Sequence, residues 1–188
     1  EQISIPSSVT SIVESFFSGC SSLTQISIPS SVTSIGEGAF SGCSSLTQIS
    51  IPSSVKKIGN YAFSGCSSLT QISIPSSVTS IGNSVFDGIK SLIITGNIQM
   101  IPNNMFNGCS SLTQITIPSS VTSIREGSFR GCSSLTQISI PSSVISIGEG
   151  AFDGIKSLII TGNIQMIPNN MFNGCSSLTQ ITIPSSVT

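Results

Sequence analysis

A motif of Phe, any residue, Gly and then Cys or Ile returns at Phe17, Phe40, Phe63, Phe86, Phe106, Phe129, Phe152 and Phe172, at intervals of 23, 23, 23, 20, 23, 23 and 20 residues. A fixed period in this range marks like supersecondary units stacked in one dimension, since a unit of that size cannot bury its own apolar face. Other columns keep step with the phenylalanines. Five residues before each stands an isoleucine (Ile12, Ile35, Ile58, Ile81, Ile101, Ile124, Ile147 and Ile167), and eight before each stands Val or Ile. Such columns face a shared interior, and the expected fold is a solenoid.

Within one unit, Leu23-Thr24-Gln25-Ile26-Ser27-Ile28 ends in apolar–polar alternation, is rich in β-branched residues and stops at Pro29, which has no N–H for a ladder. It predicts a short strand, repeated at Ile49, Ile72, Ile115, Ile138 and Ile181, stacked in parallel at ~4.8 Å per coil. A second extended piece at residues 32–35 closes the other side. The Gly-Ala-Phe-Ser-Gly-Cys stretch predicts a single helical or 3-10 turn. Its second glycine (Gly19, Gly42, Gly65, Gly88, Gly108, Gly131, Gly154 and Gly174) is expected in a backbone conformation that side chains disfavour.

Two units, residues 92–106 and 158–172, are three residues short. Both lose residues between the Leu and the next core position, Ile98 or Ile164, so the deletion falls in or beside the strand and predicts a narrower coil or altered curvature there. Residues 86–122 recur unchanged as residues 152–188. That identity points to recent duplication or deliberate design.

Taken together the columns read Leu-x-x-Ile-x-Ile-Pro-x-x-Val-x-x-Ile-Gly-x-x-Ala-Phe-x-Gly-Cys, which resembles the leucine-rich repeats of the BspA-like, or Treponema-type, class. The resemblance implies a leucine-rich-repeat solenoid, α/β-type but mostly β: a right-handed coil of about eight repeats with a concave parallel sheet. It also implies surface proteins of bacteria and parasitic protists that adhere to host cells or matrix proteins. Ser31, Ser54 and Ser77 depart from the pattern, standing where an ordinary leucine-rich repeat has Asn. The short units abandon the Ile-Pro step and put Pro102 and Pro168 in the place of Gly36. Residues 1–188 are read as a single solenoid segment, excised from a longer repeat protein and lacking capping repeats.

The 188 residues include six Lys or Arg, seven Asp or Glu and no His, and only 7% are charged. Cations scattered at Lys56, Lys57, Lys90, Arg125, Arg130 and Lys156 give no electrostatic footprint for nucleic acid or an anionic membrane. No apolar run approaches the ~18 residues of a spanning helix, and the N-terminus lacks the basic and apolar regions of a secretory signal.

The cysteines Cys20, Cys43, Cys66, Cys109, Cys132 and Cys175 share a column with Ile89 and Ile155. An isoleucine replaces neither a metal ligand nor half a cystine, so these read as reduced packing thiols, with no metal and no cofactor. Without His there is no Ser–His or Cys–His pair. The acids Glu14, Glu37, Asp87, Glu126, Glu149 and Asp153 stand one per unit, and no enzyme is expected.

What remains is surface. If Leu23, Ile26 and Ile28 point inward, Gln25 and Ser27 point outward, and with them Gln48, Ser50, Gln71, Ser73, Gln114, Thr116, Gln137, Ser139, Gln180 and Thr182. These form ladders of neutral hydrogen-bonding groups, a candidate concave face for a protein segment or a glycan. The alternative is that they bond along their own ladders and keep the sheet soluble. Lys56, Lys57, Tyr61, Arg125 and Arg130 break the repeat and are the next candidates.

The expected function is a non-enzymatic protein-binding or adhesion module of a surface protein, facing a host matrix or cell-surface protein or a glycan. Six unpaired cysteines and the absence of an N-glycosylation triplet support an intracellular scaffold instead. A third reading is a structural array associating end to end through its uncapped ends.

Overall fold

The structure, a computed structural model, describes residues 2–161, 166–167, 171–173 and 175–187. Among these, nine short strands line one side of a coil: Gln2–Ser4, Gln25–Ser27, Gln48–Ser50, Gln71–Ser73, Ser91–Thr95, Gln114–Thr116, Gln137–Ser139, Ser157–Thr161 and Gln180–Thr182. The first two pair with each other, and the other seven form one sheet in sequence order. On the second side, Ser11–Ile12, Ser34–Ile35, Lys57–Ile58 and Ser80–Ile81 make one ladder, and Met100–Ile101, Ser123–Ile124 and Ser146–Ile147 another. That ladder breaks at the first short unit. Every strand pairing is parallel.

Strict register makes the columns continuous. Gln48 pairs with Gln71, Ile49 with Ile72 and Ser50 with Ser73, so like stacks on like. Because strand side chains alternate faces, Ile26 is buried between exposed Gln25 and Ser27. The phenylalanines from Phe17 to Phe152 form a buried column of stacked rings with successive centroids 5.2 to 5.9 Å apart, within 10° of parallel except at Phe86–Phe106, where the tilt is 26°. Aliphatic columns surround it in one cluster from Ile12 to Met171. No unit owns this core, since each ring has its neighbours in the coils above and below.

The stretch around each Phe is a run of turns rather than the expected helical or 3-10 turn, and no helix occurs among the described residues. Hydrogen bonding supplies the reason. Ser41 and Cys43 donate to Gly38 and Phe40 within the turn, at 2.9 and 3.1 Å. Between them, Gly38, Phe40 and Gly42 donate to the carbonyls of Asn60, Ala62 and Ser64 in the next coil, at 2.9, 2.8 and 2.7 Å. A helix spends its N–H groups internally, whereas stacking takes every second one.

This alternation requires left-handed residues. The expected glycine column supplies them, with φ between 71° and 82° from Gly19 to Gly154. Gly174, Ile164 and Pro168 lie outside the described residues. A second left-handed column, containing Gly38, Gly127 and Gly150, also holds Ser15, Tyr61, Ser84 and Asn104 at φ 51° to 57°.

The short unit changes register. Its five-residue strand pairs Ile93 with Gln71 on one side, but Ser91 with Gln114 on the other. The rows of the sheet therefore step by two residues across Ser91–Thr95, and the same step occurs where Gln137 meets Ile159 and Ser157 meets Gln180. A slip of one residue would turn the buried face outward; a slip of two preserves it. Leu92 and Ile94 accordingly stay buried, although Leu92 now pairs with Ile115 instead of sharing the Leu112 column.

Candidate functional site

All twelve residues expected on the outer face of the long strands stand there. Gln25, Ser27, Gln48, Ser50, Gln71, Gln114, Thr116, Gln137, Ser139, Gln180 and Thr182 are exposed, and Ser73 is half-buried. Their side chains make no hydrogen bond with any described residue, so bonding along their own ladders is not what the structure contains.

Hydroxyls in other columns behave differently. Thr33, Thr79 and Thr122 donate to the carbonyls of Thr10, Lys56 and Gln99 one coil away, at 3.1 to 3.4 Å. Ser31, Ser54, Ser77, Ser120 and Ser143 donate to core-lining Val9, Val32, Val55, Ile98 and Val121, at 2.6 to 2.9 Å. These hydroxyls off the sheet tie coils together, and on the outer face Thr95 does the same by donating to the Ile72 carbonyl at 3.3 Å, whereas the twelve expected residues make no such bond among the described residues.

The face is not uniform. Ile93 sits between Gln71 and Thr116 at 48% exposure, and Ile159 sits between Gln137 and Thr182 at 43%. Sequence reasoning missed both, although alternation around buried Leu92 and Ile94 already pointed Ile93 outward. Two open depressions lie on either side of the first short unit. One is floored by Gln25, Gln48, Gln71 and their serines, and the other by Ile93, Gln114, Thr116, Gln137 and Ser139.

The residues that break the repeat do not join this face. Lys57 belongs to the second ladder, Arg125 lies in a hollow with Met100 and Asn103, and Arg130 pairs with Asp153 at 3.6 Å. Tyr61 occupies a turn beside the Phe column at 46% exposure.

All six cysteines are free thiols, and Cys43, Cys66, Cys109 and Cys132 are buried. The thiols of Cys43, Cys66 and Cys132 donate to the carbonyls of Phe17, Phe40 and Phe106, at 3.1 to 3.2 Å. Burial pushes the Cys132 thiol up to about 12. It also raises Cys109, with Cys132 and Asp87 adding to the effect. Hydrogen bonding with Cys43, together with burial, holds Cys66 protonated. A thiol kept neutral and enclosed is a packing group and a poor nucleophile. Among the described residues no three His, Cys, Asp or Glu side chains gather as metal ligands would. No helix among them is long and apolar enough to cross a membrane.

The class defined by parallel coils, in-register aliphatic columns and a polar outer sheet is the leucine-rich-repeat solenoid. The family model for the BspA type leucine rich repeat region matches residues 1–97 and 87–188, in 6 copies, and the chain belongs to that family. Curated proteins give no match.

Among solved structures, a leucine-rich repeat protein from Bacteroides ovatus is 31% identical with a TM-score of 0.71, over 98% of this chain and 49% of its own. The T. pallidum leucine-rich repeat protein is 29% identical with a TM-score of 0.58, over 81% of this chain and 75% of its own. The chain therefore spans about half the length of the Bacteroides relative.

Proposed function

We propose that this chain is a non-enzymatic binding module of a surface-displayed leucine-rich repeat protein, and that it adheres through the outer face of its long sheet to a protein or glycan. One observation carries the reading: on that face and the Gln25–Ser27 strand that precedes it, the twelve expected amide and hydroxyl side chains make no hydrogen bond with a described residue, while Ser31, Ser54, Ser77, Ser120 and Ser143 each bond to the coil before them. Open donors and acceptors in fixed ladders are pre-organised, so little ordering is lost when a ligand satisfies them. The neutral thiols of Cys66, Cys109 and Cys132, in a chain without His to act as their base, support a role without chemistry.

The test is binding of the 188-residue chain to immobilised matrix proteins and glycans, alongside a Gln48→Lys/Gln71→Lys/Gln114→Lys variant. The reading expects binding by the parent and its loss in a variant whose circular dichroism is unchanged. Retained binding that disappears with Lys57→Ala or Arg125→Ala would move the site to the other face.

The six free thiols favour a second reading, an intracellular scaffold in a reducing compartment. Surface biotinylation of cells expressing the full-length protein separates the two. Labelling of intact cells supports display, and labelling only after lysis supports the scaffold.

A further inference from the structure

We infer that the two short repeats form a paired docking site for an acidic polypeptide segment carrying aliphatic side chains, held at Lys90 with Ile93 and at Lys156 with Ile159. The inference rests on the outer sheet face being the recognition surface and adds the chemistry of its partner.

Within the strands of the long sheet and the residues leading into them, Lys90 and Lys156 are the sole charges among the described residues. The corresponding place is Thr24, Thr47, Thr70, Thr113, Thr136 or Thr179 in six other units. Ladder bonds fix that correspondence, since Thr113 donates to the Lys90 carbonyl and Thr179 to the Lys156 carbonyl, both backbone contacts at 2.8 Å. Both lysines are exposed, and neither forms an ion pair with a described residue. Of the acids three residues earlier, Asp153 pairs through its carboxylate with Arg130, and Asp87 forms no ion pair with a described residue.

Three residues after each lysine an isoleucine stands exposed in a row otherwise made of Gln, Ser and Thr. An exposed cation three residues ahead of an exposed aliphatic side chain thus occurs twice, at places where the other units carry Thr and then Gln, Ser or Thr. The pattern complements a carboxylate beside an aliphatic side chain, also presented twice.

Spacing narrows the partner further. Ser91–Thr95 and Ser157–Thr161 lie three strand spacings apart in the sheet, roughly 14 Å. Ile93 shares its row with Thr116, Ser139 and Thr161, so Ile159 is displaced by two residues along the strand. The two isoleucines are then roughly 16 Å apart, a span covered by about five residues of extended chain. Between them lie Gln114, Thr116, Gln137 and Ser139, exposed and without hydrogen-bond partners among the described residues. The fitting segment has an acidic–aliphatic element at each end and an uncharged polar middle.

The experiment selects a random dodecapeptide display library on the 188-residue chain, then measures the selected peptides by fluorescence anisotropy against three proteins. These are the parent, Ile93→Ser/Ile159→Ser and Lys90→Glu/Lys156→Glu, each checked for parental unfolding midpoint. The inference expects peptides enriched in Asp or Glu with Leu, Ile or Val, and affinity reduced about tenfold or more in each variant. It also expects affinity to fall as salt rises.

Peptides whose binding depends on Gln48 and Gln71 but not on these pairs would overturn the inference and leave the binding face standing. Selection yielding nothing above the bare support would overturn both. Binding lost with Lys90→Glu/Lys156→Glu but untouched by Ile93→Ser/Ile159→Ser, and matched by heparin, would also overturn it, assigning the lysines to an anionic glycan.

Discussion

The Ser54 hydroxyl donates to the carbonyl of Val32 at 2.6 Å, crossing from one coil to the one before it. Val32 is fully buried, so this bond satisfies an acceptor that water does not reach. Ser54→Ala leaves that carbonyl short of a donor and is expected to cost about 1 to 2 kcal/mol. Ser50→Ala, on the outer sheet face, is expected to stay within about 0.5 kcal/mol. Urea unfolding of both variants checks the contrast.

Tyr61 holds φ 54° in the column where Gly38, Gly127 and Gly150 stand. A side chain in that region costs about 1 kcal/mol, partly offset in glycine by its greater unfolded-state freedom. Tyr61→Gly is therefore expected to leave stability unchanged or raise it by up to about 1 kcal/mol. Tyr61→Val, β-branched at the same φ, is expected to lower it by at least as much. Thermal melts of the two variants give the order.

Cys132 is pushed up to about 12 by burial, against about 8.5 in an unfolded chain. Below the unfolded value both states keep the proton and the group has no effect on stability relative to neutral pH. Between the two values the unfolded thiol ionises while the folded one does not, so stability falls as pH rises from about 9 toward 12. Each such thiol adds up to about 1.4 kcal/mol of loss per pH unit in that window. Cys132→Ile, which repeats what Ile89 and Ile155 already do in the same column, should fold and show a shallower decline. Unfolding free energies from pH 7 to 11 decide it; an unchanged slope would contradict the assignment.

Much of this arrangement was legible in the sequence because the period forces each residue to repeat its environment. Once Leu23, Ile26 and Ile28 are assigned inward, the outward place of Gln25 and Ser27 follows from strand alternation, and the glycine after each Phe marks a left-handed turn. The turns were misjudged because local composition does not reveal where N–H groups go. Gly38, Phe40 and Gly42 bond to the next coil, a demand set by stacking and absent from any single unit.

The register step was hidden for a related reason. The missing three residues are visible, but whether Leu92 would align with Leu112 or with Ile115 depends on which pairing buries Leu92 and Ile94 together. Ile93 was overlooked because the recurring Gln and Ser define the outer rows, and the short repeats break that recurrence.

If the outer ladders are free for a ligand while the interior columns carry the fold, the two sets of residues must differ sharply in what they contribute to stability. Comparing unfolding free energies of Phe63→Ala with those of Gln25→Ala/Gln48→Ala/Gln71→Ala/Gln114→Ala tests this most directly. The expected result is a loss of about 3 to 5 kcal/mol for the single Phe63 truncation and under about 1 kcal/mol for the four glutamine truncations combined. Comparable losses in the two proteins would mean that the glutamines hold the coils together and would contradict the claim.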